Sequence, residues 1–191
     1  MSELKPRLYA ELVSWWPALS PFQEYAEEAA FFRQALLTAT PTPPQTLLEL
    51  GSGGGSNAYY LKKTFQMTLI HCKPGGAALF VPDCVTETFT PDTDHGGHDL
   101  SDRALRYLEW SWDPDPGDST FFVEYAYVLR EPDGRVHCEY DRHVVGLFKR
   151  ADWMRFIREA GFEPREVAFT HSKAGKLEAF IGVKAATGAK G

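Results

Sequence analysis

The residues Leu47 to Asn57 read Leu-Leu-Glu-Leu-Gly-Ser-Gly-Gly-Gly-Ser-Asn, an apolar run that ends in an acid and passes at once into a glycine-rich turn. Such a turn can bend with positive φ and lets a ligand approach the backbone where a Cβ would block it. The spacing narrows the ligand. A dinucleotide fingerprint needs a sixth-position glycine, where Ser56 stands, and no Gly-Lys-Ser/Thr of a phosphate-cradling loop occurs. Gly51, Gly53 and Gly55 are the glycines of that turn, and Asn57 stands at the start of the helix that follows. Three histidines are candidate bases near neutral pH: His143 in an alternating run, and His95 and His98 in the polar stretch around Asp92, Asp94 and Asp99. Imidazoles and carboxylates so close together also suit divalent ions. No helical His-x-x-x-His pair or cysteine partner fixes a geometry, so we expect a solvated loop and no metal.

These groups need elements to hold them. Leu8, Tyr9, Leu12, Val13, Trp15 and Trp16 recur at helical spacing and predict a helix stopped by Pro17. Ser20-Pro21 predicts a second helix, with Tyr25, Ala29, Phe32 and Leu36 on its apolar face. The proline-rich Thr40–Pro44 segment is a stiff linker into a strand, the glycine turn and a helix. Gln66–Ile70 reads as a second strand and Ala77–Asp83 as another. Only six residues, His71–Gly76, lie between them. A parallel crossover needs at least ~10–12 residues, and six extended residues reach at most roughly 20 Å. Either the two strands pair antiparallel, the sheet is rearranged, or another copy supplies the missing strands.

Further on, Arg103–Trp112, Ser119–Arg130 and Arg135–Leu147 alternate as strands, and Pro132-Asp133-Gly134 is a strong hairpin signal. A three-stranded antiparallel ribbon over 103–148 follows. Phe121, Val123, Tyr125, Tyr127 and Leu129 lie on one face and Phe122, Glu124, Ala126 and Val128 on the other. Phe148–Phe162 predicts a helix that turns Trp153, Phe156, Ile157 and Ala160 inward and stops at Gly161. Two strands, 163–170 and 177–183, close the chain.

Glu49-Leu50-Gly51-Ser52-Gly53-Gly54-Gly55 closely resembles the first motif of class I S-adenosylmethionine-dependent methyltransferases. Lys73-Pro74-Gly75-Gly76 before a strand and the Glu159-Ala160-Gly161-Phe162 helix end are similar to later signatures of that family. The resemblance implies a fold class: α/β, a Rossmann-like methyltransferase fold with an abridged sheet, an N-terminal helical cap and an inserted antiparallel β-ribbon. It divides the chain into a cap (1–44), an abridged cofactor-binding core (45–102), the β insertion (103–148), a C-terminal helix and strand pair (149–184) and a tail. It implies S-adenosylmethionine as cofactor, held by Glu49, Gly51, Ser52, Gly53, Gly55 and Asn57. It also implies that Tyr9, Trp15 and Trp16 of the cap and Asp83 at the strand end face a small-molecule substrate bearing an N or O nucleophile. In the family the second strand ends in an acid for the ribose, and a middle segment holds the adenine. Neither is present between Ile70 and His71. The alternative is therefore a catalytically inactive methyltransferase-like scaffold or oligomerisation domain.

Composition sets the remaining expectations. Across 191 residues, 43% are hydrophobic and 14% aromatic, enough for a folded core. The net charge of −6 without a basic cluster argues against nucleic acid. No apolar run reaches the ~20 residues of a membrane span, and the first residues lack a signal peptide's hydrophobic region. Cys72, Cys84 and Cys138 lack metal-ligand spacing and read as reduced thiols of a cytoplasmic protein. The aromatic face of the ribbon predicts a homodimer contact.

Overall fold

A computed structural model describes residues 6–45, 72–172 and 175–186. The glycine turn, the helix after it and the Gln66–Ile70 strand lie outside the described residues. The chain separates into two compact units, one of residues 1–24 and 89–147, the other of residues 25–88 and 148–191.

In the first unit, β2 (Asp92–Gly96), β3 (Ala104–Trp112), β4 (Thr120–Arg130) and β5 (Val136–Gly146) form an antiparallel sheet in the order β2-β3-β4-β5. The ribbon is thus four-stranded. Asp92–Gly96, expected as loop, pairs with β3 as an edge strand (Asp92↔Ser111 to Gly96↔Tyr107). Its polar side chains gave no apolar alternation to read, and β3's free edge supplied the partner. The β4–β5 hairpin turns where expected. Gly134 has φ +84°, and Asp133 accepts the Arg135 N–H at 3.0 Å. At the neighbouring corner Gly97 (φ +117°) lies so close to β3 that a Cβ would stand 2.1 Å from the Leu105 carbonyl oxygen.

The N-terminal segment covers one face of this sheet. It is not one long helix but two 3-10 turns, Arg7–Tyr9 and Val13–Trp15, and a short helix α1 (Trp16–Leu19). Pro17 sits in the first turn of α1, where its missing N–H costs nothing, so it opens that helix and does not stop the preceding one. Leu8, Leu12, Trp15 and Ala18 still fall on one side and pack with Leu105, Tyr127 and Leu129, all at most 6% exposed. The face carrying Phe121, Val123, Tyr127 and Leu129 is therefore covered within its own unit and is not the free aromatic patch expected from sequence. The opposite face keeps Leu108, Trp110, Val128, Tyr140 and Val144 at 42–62% exposure.

In the second unit, β1 (Ala77–Phe80), β6 (Phe162–His171) and β7 (Gly175–Lys184) pair in the order β1-β7-β6, with β7 antiparallel to both neighbours. This is the closing strand pair that the resemblance implies. β7 is central, and its run Ala179 to Val183 is buried on both sides. Helix α3 (Arg150–Glu159) crosses close over Gly182, where a Cβ would meet Ile157 Cγ2 at 2.8 Å. Ile157 is buried and Trp153 stacks on Phe180 at 5.5 Å. Phe156, expected inward, is 40% exposed and lies edge-on to Phe148 with Arg155 over its ring. Gly161, at φ +91°, ends the helix as expected. Helix α2 (Ala26–Ala39) buries Ala29, Phe32 and Leu36. It begins after a 3-10 turn, Phe22–Tyr25, so Ser20 is not its N-cap. Among the described residues no helix is long and apolar enough to cross a membrane.

Candidate functional site: the covered face of the ribbon

Register decides which side chains share the covered face. With Tyr125 opposite Asp141, Val123 opposite His143 and Tyr127 opposite Glu139, the β5 residues Glu139, Asp141 and His143 stand beside the aromatic row of β4. From β3 come Tyr107 and Glu109, opposite Tyr127 and Tyr125. From β2 comes Asp94, opposite Glu109.

Rings line this face. Tyr125 stacks on Tyr127 at 5.3 Å, with Tyr107 6.3 Å from Tyr125. The His143 ring lies 5.2 Å from Tyr125 and 5.5 Å from Tyr9, and Tyr9 in turn is 5.4 Å from Trp16. The N-terminal segment is fastened over these groups at its start. Leu8 N–H donates to Asp141 Oδ2 at 2.8 Å, and Arg7 pairs with Glu139 at 2.6 Å. Asp141 is 4% exposed and also lies 3.1 Å from His143 Nε2.

The electrostatics are negative. Burial, then the carboxylates of Asp94 and Glu109, push the Tyr107 phenol up to about 12. Burial, with Asp141 and Glu109 behind it, drives Tyr127 up as well. At neutral pH both phenols are donors, not anions. Asp94 and Glu109 face each other directly across the β2–β3 ladder, so two carboxylates stand side by side on this face. Aromatic faces and clustered carboxylates together suit a positively charged organic group. Two buried donors on this face, Tyr127 Oη and Trp16 Nε1, have no hydrogen-bond partner among the described residues.

Of the residues singled out from sequence, Tyr9, Trp16 and His143 come together here. Trp15 does not. It is 5% exposed, in the core, with Arg103 over its ring at 5.1 Å. His98 is a packing residue whose N–H donates to the Ala18 carbonyl at 2.9 Å, with Nε2 3.9 Å from Glu24. His95 pairs with Leu108 on the opposite face, exposed, and serves no shared site. Asp83 follows β1 in the second unit and stands exposed. Glu49, Gly51, Ser52, Gly53, Gly55 and Asn57 lie outside the described residues. Asp141, Tyr107, Tyr125 and Glu109 were not singled out. The hairpin register was the signal for the first of them, because it places Asp141 on the tyrosine face. Among the described residues no group of three or more His, Cys, Asp or Glu side chains gathers as a metal site.

No family model matches the chain, and no curated protein matches it. Solved structures do. The chain is similar to the crystal structure of Streptomyces venezuelae DesVI (TM-score 0.69, 16% identity, 93% of this chain and 97% of that one). It is also similar to SAM-bound CalS10, an amino pentose methyltransferase from Micromonospora echinaspora involved in calicheamicin biosynthesis (TM-score 0.62, 12% identity, 84% of this chain and 91% of that one). At these identities the likeness establishes the fold: the chain folds as the methyltransferase CalS10 does.

Proposed function

We propose that the chain is an S-adenosylmethionine-dependent methyltransferase acting on a small molecule with an N or O nucleophile, and that the nucleophile is an amine. The observation that carries the choice of amine is the covered ribbon face, where Tyr9, Trp16, Tyr107, Tyr125 and His143 stand among Asp94, Glu109 and Asp141. Rings and acids of this kind hold a cationic ammonium and exclude an anionic acceptor. The fold shared with SAM-bound CalS10, which acts on an amino pentose, supports the same reading. When bound, S-adenosylmethionine supplies an activated methyl group, and the residues that would hold it are Glu49, Gly51, Ser52, Gly53, Gly55 and Asn57. The ribbon would orient the acceptor, and His143 would take the proton that an ammonium must lose before it can attack.

The reading as an inactive scaffold has one observation in its favour: only six residues separate the second predicted strand from β1, with no ribose acid between them. Calorimetric titration with S-adenosylhomocysteine decides between the two. Micromolar binding that is lost in Gly53→Val is the expected result. No heat from folded protein would leave the scaffold. We further place the protein in the cytoplasm, a reading supported by three unbridged cysteines. We also propose that it is a homodimer joined through the exposed ribbon face.

A further inference from the structure

We propose that Asp141 is the positioning residue of this site, holding the His143 proton on Nε2 and so keeping the lone pair on Nδ1. The inference rests on the reading of the covered ribbon face as the acceptor site. Asp141 accepts from three directions. Oδ2 receives the Leu8 N–H at 2.8 Å and faces His143 Nε2 at 3.1 Å, while Oδ1 receives the Arg142 N–H at 3.0 Å. A carboxylate can only accept, so the imidazole nitrogen turned toward it must be the one bearing hydrogen. Nδ1 has no hydrogen bond among the described residues, and the ring is held between Tyr9 and Tyr125. A proton leaving the acceptor ammonium then passes to Nδ1. The acceptor nitrogen keeps the electron pair, and the imidazolium so formed is stabilised by the carboxylate on its far side.

The same oxygen fastens the N-terminal segment. Tyr9 follows Leu8, whose N–H rests on Asp141, so one carboxylate sets both the tautomer of His143 and the position of the ring that packs on it. Position 141 lies on β5 opposite Tyr125, buried at 4% exposure among apolar rings. A charge is expensive at such a place unless its hydrogen bonds are filled, and here they are.

The test reads the ring nitrogens of His143 by long-range proton–nitrogen NMR of the full chain, assigned against His143→Gln. At a pH where the ring is neutral, Nε2 should carry the proton in the wild type. In Asp141→Ala no acceptor faces His143 Nε2, so nothing holds the hydrogen there. The ring should then exchange between its two tautomers, with part of the proton on Nδ1. With a methyl acceptor in hand, kcat should fall on the order of 100-fold while S-adenosylhomocysteine affinity stays within about threefold, because base strength and not cofactor binding is lost. An Nδ1–H tautomer in the wild type, or a proton held wholly on Nε2 in Asp141→Ala, overturns the proposal. The wild-type spectrum alone decides if the variant does not fold. Loss of cofactor binding with the Nε2–H tautomer intact would instead remove the enzyme reading and leave the assignment of the proton standing.

Discussion

Tyr127 is 1% exposed, yet its hydroxyl has no hydrogen-bond partner among the described residues. Burying a hydroxyl unpaired is costly, and replacing it with hydrogen is neutral or favourable. Tyr127→Phe is therefore expected to melt no lower than the wild type and to gain up to about 1 kcal/mol in denaturant titration. If the hydroxyl meets a bound acceptor, the same variant loses about tenfold in kcat/KM, a loss that its stability cannot explain. A drop of more than 1 kcal/mol would show that the hydroxyl is paired after all. In the second unit, Arg150 clamps Glu178 through Nε at 2.8 Å and Nη2 at 2.5 Å, and that hydrogen bond holds the Glu178 carboxyl below its ordinary range. A carboxyl whose pKa is lower in the folded than in the unfolded chain contributes its full stability above the ordinary value of 4.5. That contribution is lost as pH falls through the folded value. Glu178→Gln should thus lower Tm by about 3 °C at pH 7 and flatten its decline below pH 4.5. Parallel wild-type and variant curves across that range would rule this linkage out.

At the scale of elements, strand β4 separates two environments residue by residue. Leu129 is fully buried under Leu8 and Leu12, while Val128 next to it is 42% exposed on the other face. Leu129→Ala should cost about 3 kcal/mol through the cavity it leaves, and Val128→Ala less than about 0.5 kcal/mol. Equal costs would mean the sheet is turned over. Much of this was legible. Pro132-Asp133-Gly134 fixes the hairpin, the hairpin fixes the register, and the register puts Tyr125 and Asp141 on one face. Of Leu8, Tyr9, Leu12, Val13, Trp15 and Trp16, read together from their spacing, Leu8, Leu12 and Trp15 are buried although the segment is broken into 3-10 turns, because both helix types return a residue to the same side every three or four positions. Tyr9 and Val13 stand 57% and 58% exposed. Strand β2 was illegible because an edge strand needs no apolar alternation. Phe156 was misplaced because helical spacing cannot tell a sheet-facing ring from one that packs at the helix rim under Arg155. His143 was read as one of three equal histidines. What singles it out is Asp141, a long-range neighbour of the Leu8 amide that no local pattern announces.

The whole molecule poses one remaining question of solvent and partner. A sheet of four strands with up to eleven residues each presents a face of roughly 19 by 35 Å, taking ~4.8 Å between strands and ~3.3 Å per residue. Over one face lies the chain's own N-terminal segment, packed on Leu105, Tyr127 and Leu129. The other displays Leu108, Trp110, Val128, Tyr140 and Val144 to water, with the charges of Glu124 and Arg142 already paired at 2.7 Å. Its extent approaches the ~800 Å² per partner that a stable complex buries. At its centre Glu124 and Arg142 neutralise each other, so the apolar middle of the face can meet a copy of itself, and two sheets can stack face to face at about 10 Å. The wild type should therefore run at twice its chain mass in light scattering at micromolar concentration. Leu108→Glu combined with Val144→Glu should bring it to the monomer with its circular dichroism unchanged, since neither side chain supports the core. Tyr9→Ala and Trp16→Ala, on the covered side, should leave the dimer intact. A wild type that stays monomeric at tens of micromolar would mean that this face meets something other than a second copy. Acceptor-face variants that dissociate a dimer would mean the N-terminal segment, and not the open face of the ribbon, joins the subunits.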